Sequence, residues 1–206
     1  MEKIMIINAS PRAPKSNSQK YAALFEQYSR VPTQYFNLTK KNHADLCSVI
    51  KDFSDLLFVF PLYADGIPST LLGFLKSLQE YPLQHKPVVS VLINCGFIEP
   101  EQNDVAVEMV RLFCEENGYP FGSVLRIGSG EAILATPFQF LVRRKIKKLA
   151  KCVATHRRQN LRVTMPITKK MFLRASTIYW VNYGKKNGIT KEQMECMQIE
   201  DGTFDS

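Results

Sequence analysis

Residues 9–18, ASPRAPKSNS, gather Ser10, Ser16, Asn17 and Ser18, short side chains rich in hydroxyl and amide groups, around one guanidinium, Arg12. The stretch follows an apolar run and precedes a helical pattern. A helix N-terminus there presents unpaired N–H groups and the positive end of the helix dipole. Added hydroxyls and an arginine make such a place suited to a phosphate monoester. The plainer reading is helix capping by Ser16, Asn17 or Ser18, which needs only one of them. No GxxxxGK[ST] and no GxGxxG occurs in the chain. A P-loop and a dinucleotide fingerprint are therefore disfavoured.

A second informative stretch is FPLYADGIPS (60–69). Pro61, Gly66 and Pro68 constrain its backbone beside the ring of Tyr63. A flat aromatic ligand suits such a loop, with backbone N–H groups at its edge; a stiff connection is the alternative. A third stretch, NCGFIEPEQN (94–103), carries Gly96, which permits close backbone approach. Cys95 beside it reads as a small filler rather than a nucleophile. His43, His85 and His156 all lie outside these loops, so none is placed to activate it. A fourth, GSGEAI (128–133), is short and polar enough to close the same crevice.

The elements that must position these loops alternate. Apolar strand patterns occur at 3–8, 33–38, 55–63, 87–94 and 122–128, and helical patterns at 17–29, 43–53, 68–81 and 101–118. Tyr21, Leu24, Phe25 and Tyr28 make the apolar stripe of the first helix. The run DLLFVFPLY is apolar throughout, as a strand covered on both faces should be. Pro68 opens one helix and Gly118 closes another. Five such alternations predict an α/β fold, a three-layer sandwich with a five-stranded parallel sheet of order 2-1-3-4-5. The informative loops then share the carboxyl edge of that sheet.

Beyond residue 137 the sequence reads as helical, with helices over 138–158 and 169–188. Residues 1–137 hold 12 Lys/Arg and 14 Asp/Glu, whereas residues 138–206 hold 15 and 5. A single domain is expected, with an α/β core over 1–137 that carries the informative loops and a basic helical extension over 138–206. The extension should face something anionic, or be a solvated surface. The chain has 206 residues and five scattered cysteines, Cys47, Cys95, Cys114, Cys152 and Cys196, with no CxxC. That pattern argues against a disulfide framework, zinc or an iron–sulfur cluster. The N-terminal residues lack the layout of a signal peptide, and a cytoplasmic location is expected.

Two of these motifs, in this order and spacing, carry a family likeness. ASPRAPKSNS resembles the Ser-x-Arg phosphate loop, and PLYADGIPSTLLGFLKSL the isoalloxazine loop and following helix, of the flavodoxin-like superfamily. Within it the chain is similar to the NAD(P)H-dependent FMN reductase and quinone reductase group, over about residues 1–135. Flavodoxins proper have a Gly-containing Thr/Ser-rich phosphate loop, where this chain has Pro11 and Arg12. The tight cysteine motif of related iron–sulfur flavoproteins is missing. The resemblance implies non-covalent FMN, reduced by NADPH or NADH and reoxidised by a quinone, a flavin or a similar small acceptor. It implies phosphate contacts from Ser10, Arg12, Ser16, Asn17 and Ser18. Pro61, Leu62, Tyr63, Ala64, Asp65 and Gly66 would line the ring, and Asn94, Cys95, Gly96 and Phe97 its pyrimidine side. No side chain need be a general acid, and no metal is expected. A homodimer is expected, with the Trp180 helix as the candidate contact. The alternative is an FMN electron carrier reduced by a partner protein, its basic region docking an acidic partner. An anionic membrane surface is a further possible partner; nucleic acid is not expected, for want of a motif.

Overall fold

A computed structural model describes residues 2–13 and 15–195. They fall in two compact units, residues 1–165 and 166–206.

The first unit is built on a sheet whose strands are short apolar runs bounded by turn residues. They are β1 (Ile4–Asn8), β2 (Thr33–Asn37), β3 (Asp55–Pro61), β4 (Val88–Asn94), β5 (Phe121–Ile127) and β6 (Asn160–Val163). All pair in parallel, in the order β2-β1-β3-β4-β5-β6. Helices α1 (Asn17–Tyr28), α2 (His43–Val49), α3 (Ser69–Glu80), α4 (Asp104–Glu116) and α5 (Gln139–Ala154) connect them. Each lies within a few residues of its sequence expectation.

Side chains on a strand alternate between faces. Met5 and Ile7, Leu56, Phe58 and Phe60, and Val89, Val91 and Ile93 join buried side chains of α2, α3 and α4 in one cluster. The alternate residues, including Ile6, Leu57 and Leu92, are equally buried on the face that α1 and α5 cover. Because β1 and β3 are covered on both sides, their sequences show no polar alternation.

The sheet has six strands where five were expected. Residues 160–163, NLRV, pair Leu125 with Leu161 and Ile127 with Val163. Only Leu161 and Val163 are buried, two apolar residues just beyond a basic run. So short a pattern does not stand out from helical periodicity. Its brevity and the outward Arg162 suit an edge strand, which must not invite further pairing. Helix α5 and strand β6 thus complete the first unit. The second contains α6 (Lys169–Lys186) and α7 (Lys191–Glu195). Cys196 lies outside the described residues.

Candidate functional site

The chain leaves β1 toward β2 on one side, and from β3 onward builds the sheet on the other. Loops after β1 and β3 therefore diverge, and a crevice opens between them at the carboxyl edge. A cavity of about 650 Å³ lies there. Its wall includes Ser10, Arg12, Ser16, Asn17 and Ser18 from the first loop, Pro61, Leu62 and Tyr63 from the loop after β3, and Asn94 from the end of β4. Nine of the fifteen expected residues thus share one cavity wall. Ala64, Asp65, Gly66, Cys95, Gly96 and Phe97 do not line it. Pro11, Lys15, Gln19, Lys20 and Glu131 do, and were not singled out from the sequence. Glu131 sits in GSGEAI, the loop expected to close the crevice. Lys15 and Lys20 carry only the generic signal of charge near a helix start.

The first loop is built from below by Asn8, fully buried at the end of β1. Its Nδ2 donates to Tyr35 Oη at 2.8 Å, and its Oδ1 accepts from the Ser10 N–H at 3.1 Å. Burial pushes the Tyr35 phenol up, and the bond from Asn8 partly offsets this. Ser10 Oγ accepts from the Arg12 N–H at 3.3 Å. Ser16 is the N-cap of α1, its Oγ accepting from the Gln19 N–H at 3.2 Å. Ser18 Oγ accepts from Asn94 Nδ2 at 3.1 Å, and the same Nδ2 donates to Phe60 O at 3.2 Å. Capping and loop construction therefore account for three serines. What remains for a ligand is cationic. Arg12, Lys15 and Lys20 are exposed at the cavity, and among the described residues none is paired with a carboxylate. Glu131 is the one carboxylate on the wall.

The second loop is a tight hairpin. The Tyr63 N–H donates to Gly66 O at 3.1 Å and the Gly66 N–H to Tyr63 O at 3.0 Å. Ala64 and Asp65 between them both have positive φ, +46° and +57°. Two central residues of that kind mark a type I′ turn. Asp tolerates the left-handed region; alanine there costs about 1 kcal/mol. The Leu62 N–H is bonded to Asn94 O at 2.8 Å. Within the turn itself, the Ala64 and Asp65 amides have no protein acceptor among the described residues. Tyr63 is 59% exposed, a large ring left standing at the cavity mouth.

The loop after β5, the end of β4 and helix α1 meet at Gly130. A Cβ there would lie 2.8 Å from Asn94 Cβ and 3.1 Å from Cys95 O. Only glycine lets the loop after β5 approach the end of β4 this closely. The buried Tyr21 of α1 donates its Oη to Gly130 O at 2.6 Å. Burial drives this phenol well above its ordinary range, with Cys95 and Glu131 adding to the effect. Tyr21 is thus a neutral tie between α1 and that loop. Cys95 is buried beneath the wall. Burial raises its thiol, outweighing the Asn103 Nδ2 donated at 3.2 Å. It is a protonated filler, as its sequence context indicated.

No family model matches the chain, and no curated protein does either. Solved structures do. An FMN-dependent NADH-azoreductase from Bacillus anthracis superposes with a TM-score of 0.56 at 16% identity, covering 73% of this chain and 98% of that one. An NADPH-quinone reductase from P. pentosaceus gives 0.56 at 15%, covering 73% and 98%. A flavodoxin from Streptococcus pneumoniae gives 0.55 at 14%, covering 74% and 98%. The chain has the flavodoxin-like fold. At these identities the likeness is one of backbone, and the chemistry must be argued from the chain's own residues.

Proposed function

We propose that this flavodoxin-like protein binds FMN and acts as an NAD(P)H-dependent oxidoreductase toward a small acceptor such as a quinone or a flavin. The observation that carries the reading is the cationic cavity at the β1/β3 switch point. In this fold class a mononucleotide lies at such a crevice. The residues present fit FMN at both ends. The N-terminus of α1, Arg12, Lys15 and Lys20 match a phosphate monoester, a dianion. The Pro61–Tyr63 segment and the open ring of Tyr63 match a flat heterocycle. The volume lies within the range of small-molecule sites.

When bound, FMN supplies two-electron chemistry between a reduced nicotinamide and the acceptor. The chain's residues bind and orient. Arg12 and the α1 amides would hold the phosphate. Asn94 would fix the floor by bridging Ser18 and Phe60. The Ala64 and Asp65 amides, off the cavity wall but pre-set by the hairpin, would serve only a ring edge that reaches past Tyr63. No nucleophile is needed: the Cys95 thiol is protonated and the Tyr21 hydroxyl is committed to Gly130. NADPH or NADH would approach at the open side near Tyr63. Two of the solved structures named above, the NADH-azoreductase and the NADPH-quinone reductase, support the donor assignment.

A second reading, an FMN carrier reduced by a partner protein, is supported by the equally good superposition on a flavodoxin. One experiment separates them. The protein is loaded with FMN and mixed anaerobically with NADPH or NADH, then with a quinone. Bleaching of the visible flavin bands within a turnover, and their return with quinone, supports the reductase. Bands that persist with both nicotinamides contradict it and leave the carrier.

A further inference from the structure

Between Ala132 and Lys191 the chain runs for 60 residues with 15 Lys/Arg and no Asp or Glu. Exposed apolar surface gathers in the last part of this run. Of fourteen large apolar side chains exposed among the described residues, eight lie in residues 166–195. Helix α6 carries six of the eight. Here charge of one sign coincides with unburied aromatic surface, a combination that solvation alone does not explain.

The arrangement on α6 is specific. At 100° per residue, Phe172, Tyr179, Trp180 and Tyr183 fall on one side, and Lys170, Arg174 and Lys185 on another. The three larger rings touch one another. Centroids are 5.2 Å apart for Tyr179 and Trp180, 5.9 Å for Trp180 and Tyr183, and 6.3 Å for Tyr179 and Tyr183. Yet Tyr179, Trp180 and Tyr183 remain 57%, 46% and 53% exposed. Beside these rings, at the same end of the helix, Gly184 is buried and closely approached by Met194 and Ile189.

We propose that α6 is a surface-binding helix for a bilayer containing anionic lipid. Tyrosine and tryptophan combine an apolar body with a polar tip, which suits the depth of lipid headgroups. Lysine and arginine can extend their stems along that surface and place their charge at anionic headgroups. The helix lies in the interface plane and does not cross: among the described residues no helix is long and apolar enough to span a membrane. A second copy of this chain is the poorer occupant. A two-fold contact through α6 would bring two helices of like charge together with no carboxylate in either to answer the cations. The proposal is independent of the flavin reading.

Trp180 is the only tryptophan of the chain. Its emission therefore reports on α6 alone. Full-length protein is titrated with phosphatidylglycerol-containing vesicles and with pure phosphatidylcholine vesicles at low salt. The expected result is a blue shift with the first, quenched by brominated acyl chains and reversed by high salt, and no shift with the second. Lys170→Glu, Arg174→Glu and Lys185→Glu together should weaken partitioning by about tenfold or more. Unshifted emission with anionic vesicles overturns the proposal, even if the protein pellets with them through another basic surface. So does a shift that rises with protein concentration without lipid, which would mean a second copy. So does a shift with polyglutamate but not with vesicles, which would mean an acidic protein. The unaltered chain decides the matter if the triple variant fails to fold.

Discussion

Arg12 bears the clearest single-residue expectation. Its guanidinium stands at the cavity without a carboxylate partner among the described residues, on a loop whose backbone Asn8 and Ser10 hold. Arg12→Ala should weaken FMN binding about tenfold, near 1.4 kcal/mol, with little change in stability. Fluorescence titration of the variant checks this; unchanged affinity would remove Arg12 from the phosphate site. Asn94 differs, because its amide is structural. Asn94→Ala removes the side-chain bridge between the Ser18 hydroxyl and the Phe60 carbonyl and should cost about 1 kcal/mol in urea unfolding, besides loosening the cavity floor. Cys95→Ala should retain nicotinamide oxidation, since a buried protonated thiol does no chemistry; loss of turnover with FMN still bound would contradict that. Residue types made much of this scale legible. Five polar residues around a helix start suggested an anion site, and in the structure all five share a cavity wall with Asn94, which stands at a strand end. The burden within the first loop was not legible. Ser16 and Ser18 look alike in sequence, yet one caps α1 and the other accepts from Asn94. That division depends on where β4 ends in space, which the local sequence does not contain.

At the scale of elements, the hairpin after β3 shows how a loop can be rigid without glycine at its tip. Ala64 is held in the left-handed region by the paired Tyr63 and Gly66 amides. Ala64→Gly should relieve that strain and stabilise the protein by up to about 1 kcal/mol, read as a higher urea midpoint. The sequence suggested a special backbone path from Pro61, Gly66 and Pro68, but placed Gly66 at the ring. In the structure Gly66 closes the turn, and Pro61, Leu62 and Tyr63 are the residues of this loop at the cavity. Strands β1 to β5 were legible because each is a separate apolar run between turn signals. Strand β6 was not, because two inward residues in four carry little pattern. It forms only because β5 offers an unpaired edge.

For the whole molecule, several buried acids that are neutral when protonated set a limit at alkaline pH. Burial pushes the Cys47 thiol up to about 11, the Cys114 thiol to about 12 and the Tyr119 phenol to about 12, and raises Tyr21 further. Each folded value lies above its unfolded one. The stability they contribute is therefore intact below the unfolded values of about 8.5 for Cys and 10 for Tyr. It is lost as pH rises toward the folded ones, because only the unfolded chain releases the protons. The urea midpoint should be flat with respect to these groups from pH 6 to about 8 and fall steadily above about 9. A midpoint unchanged at pH 11 would mean that these groups titrate normally in the folded protein.

The central claim is a phosphate-holding flavin site at the β1/β3 crevice. Its most direct test is a paired equilibrium titration of the flavin-free protein with FMN and with riboflavin, followed by quenching of flavin fluorescence. The two ligands share the ring and differ in the phosphate. Saturable FMN binding is expected, with riboflavin weaker by at least about tenfold, and a gap that narrows in Arg12→Ala. Equal affinity for both, or no binding of either, would contradict it.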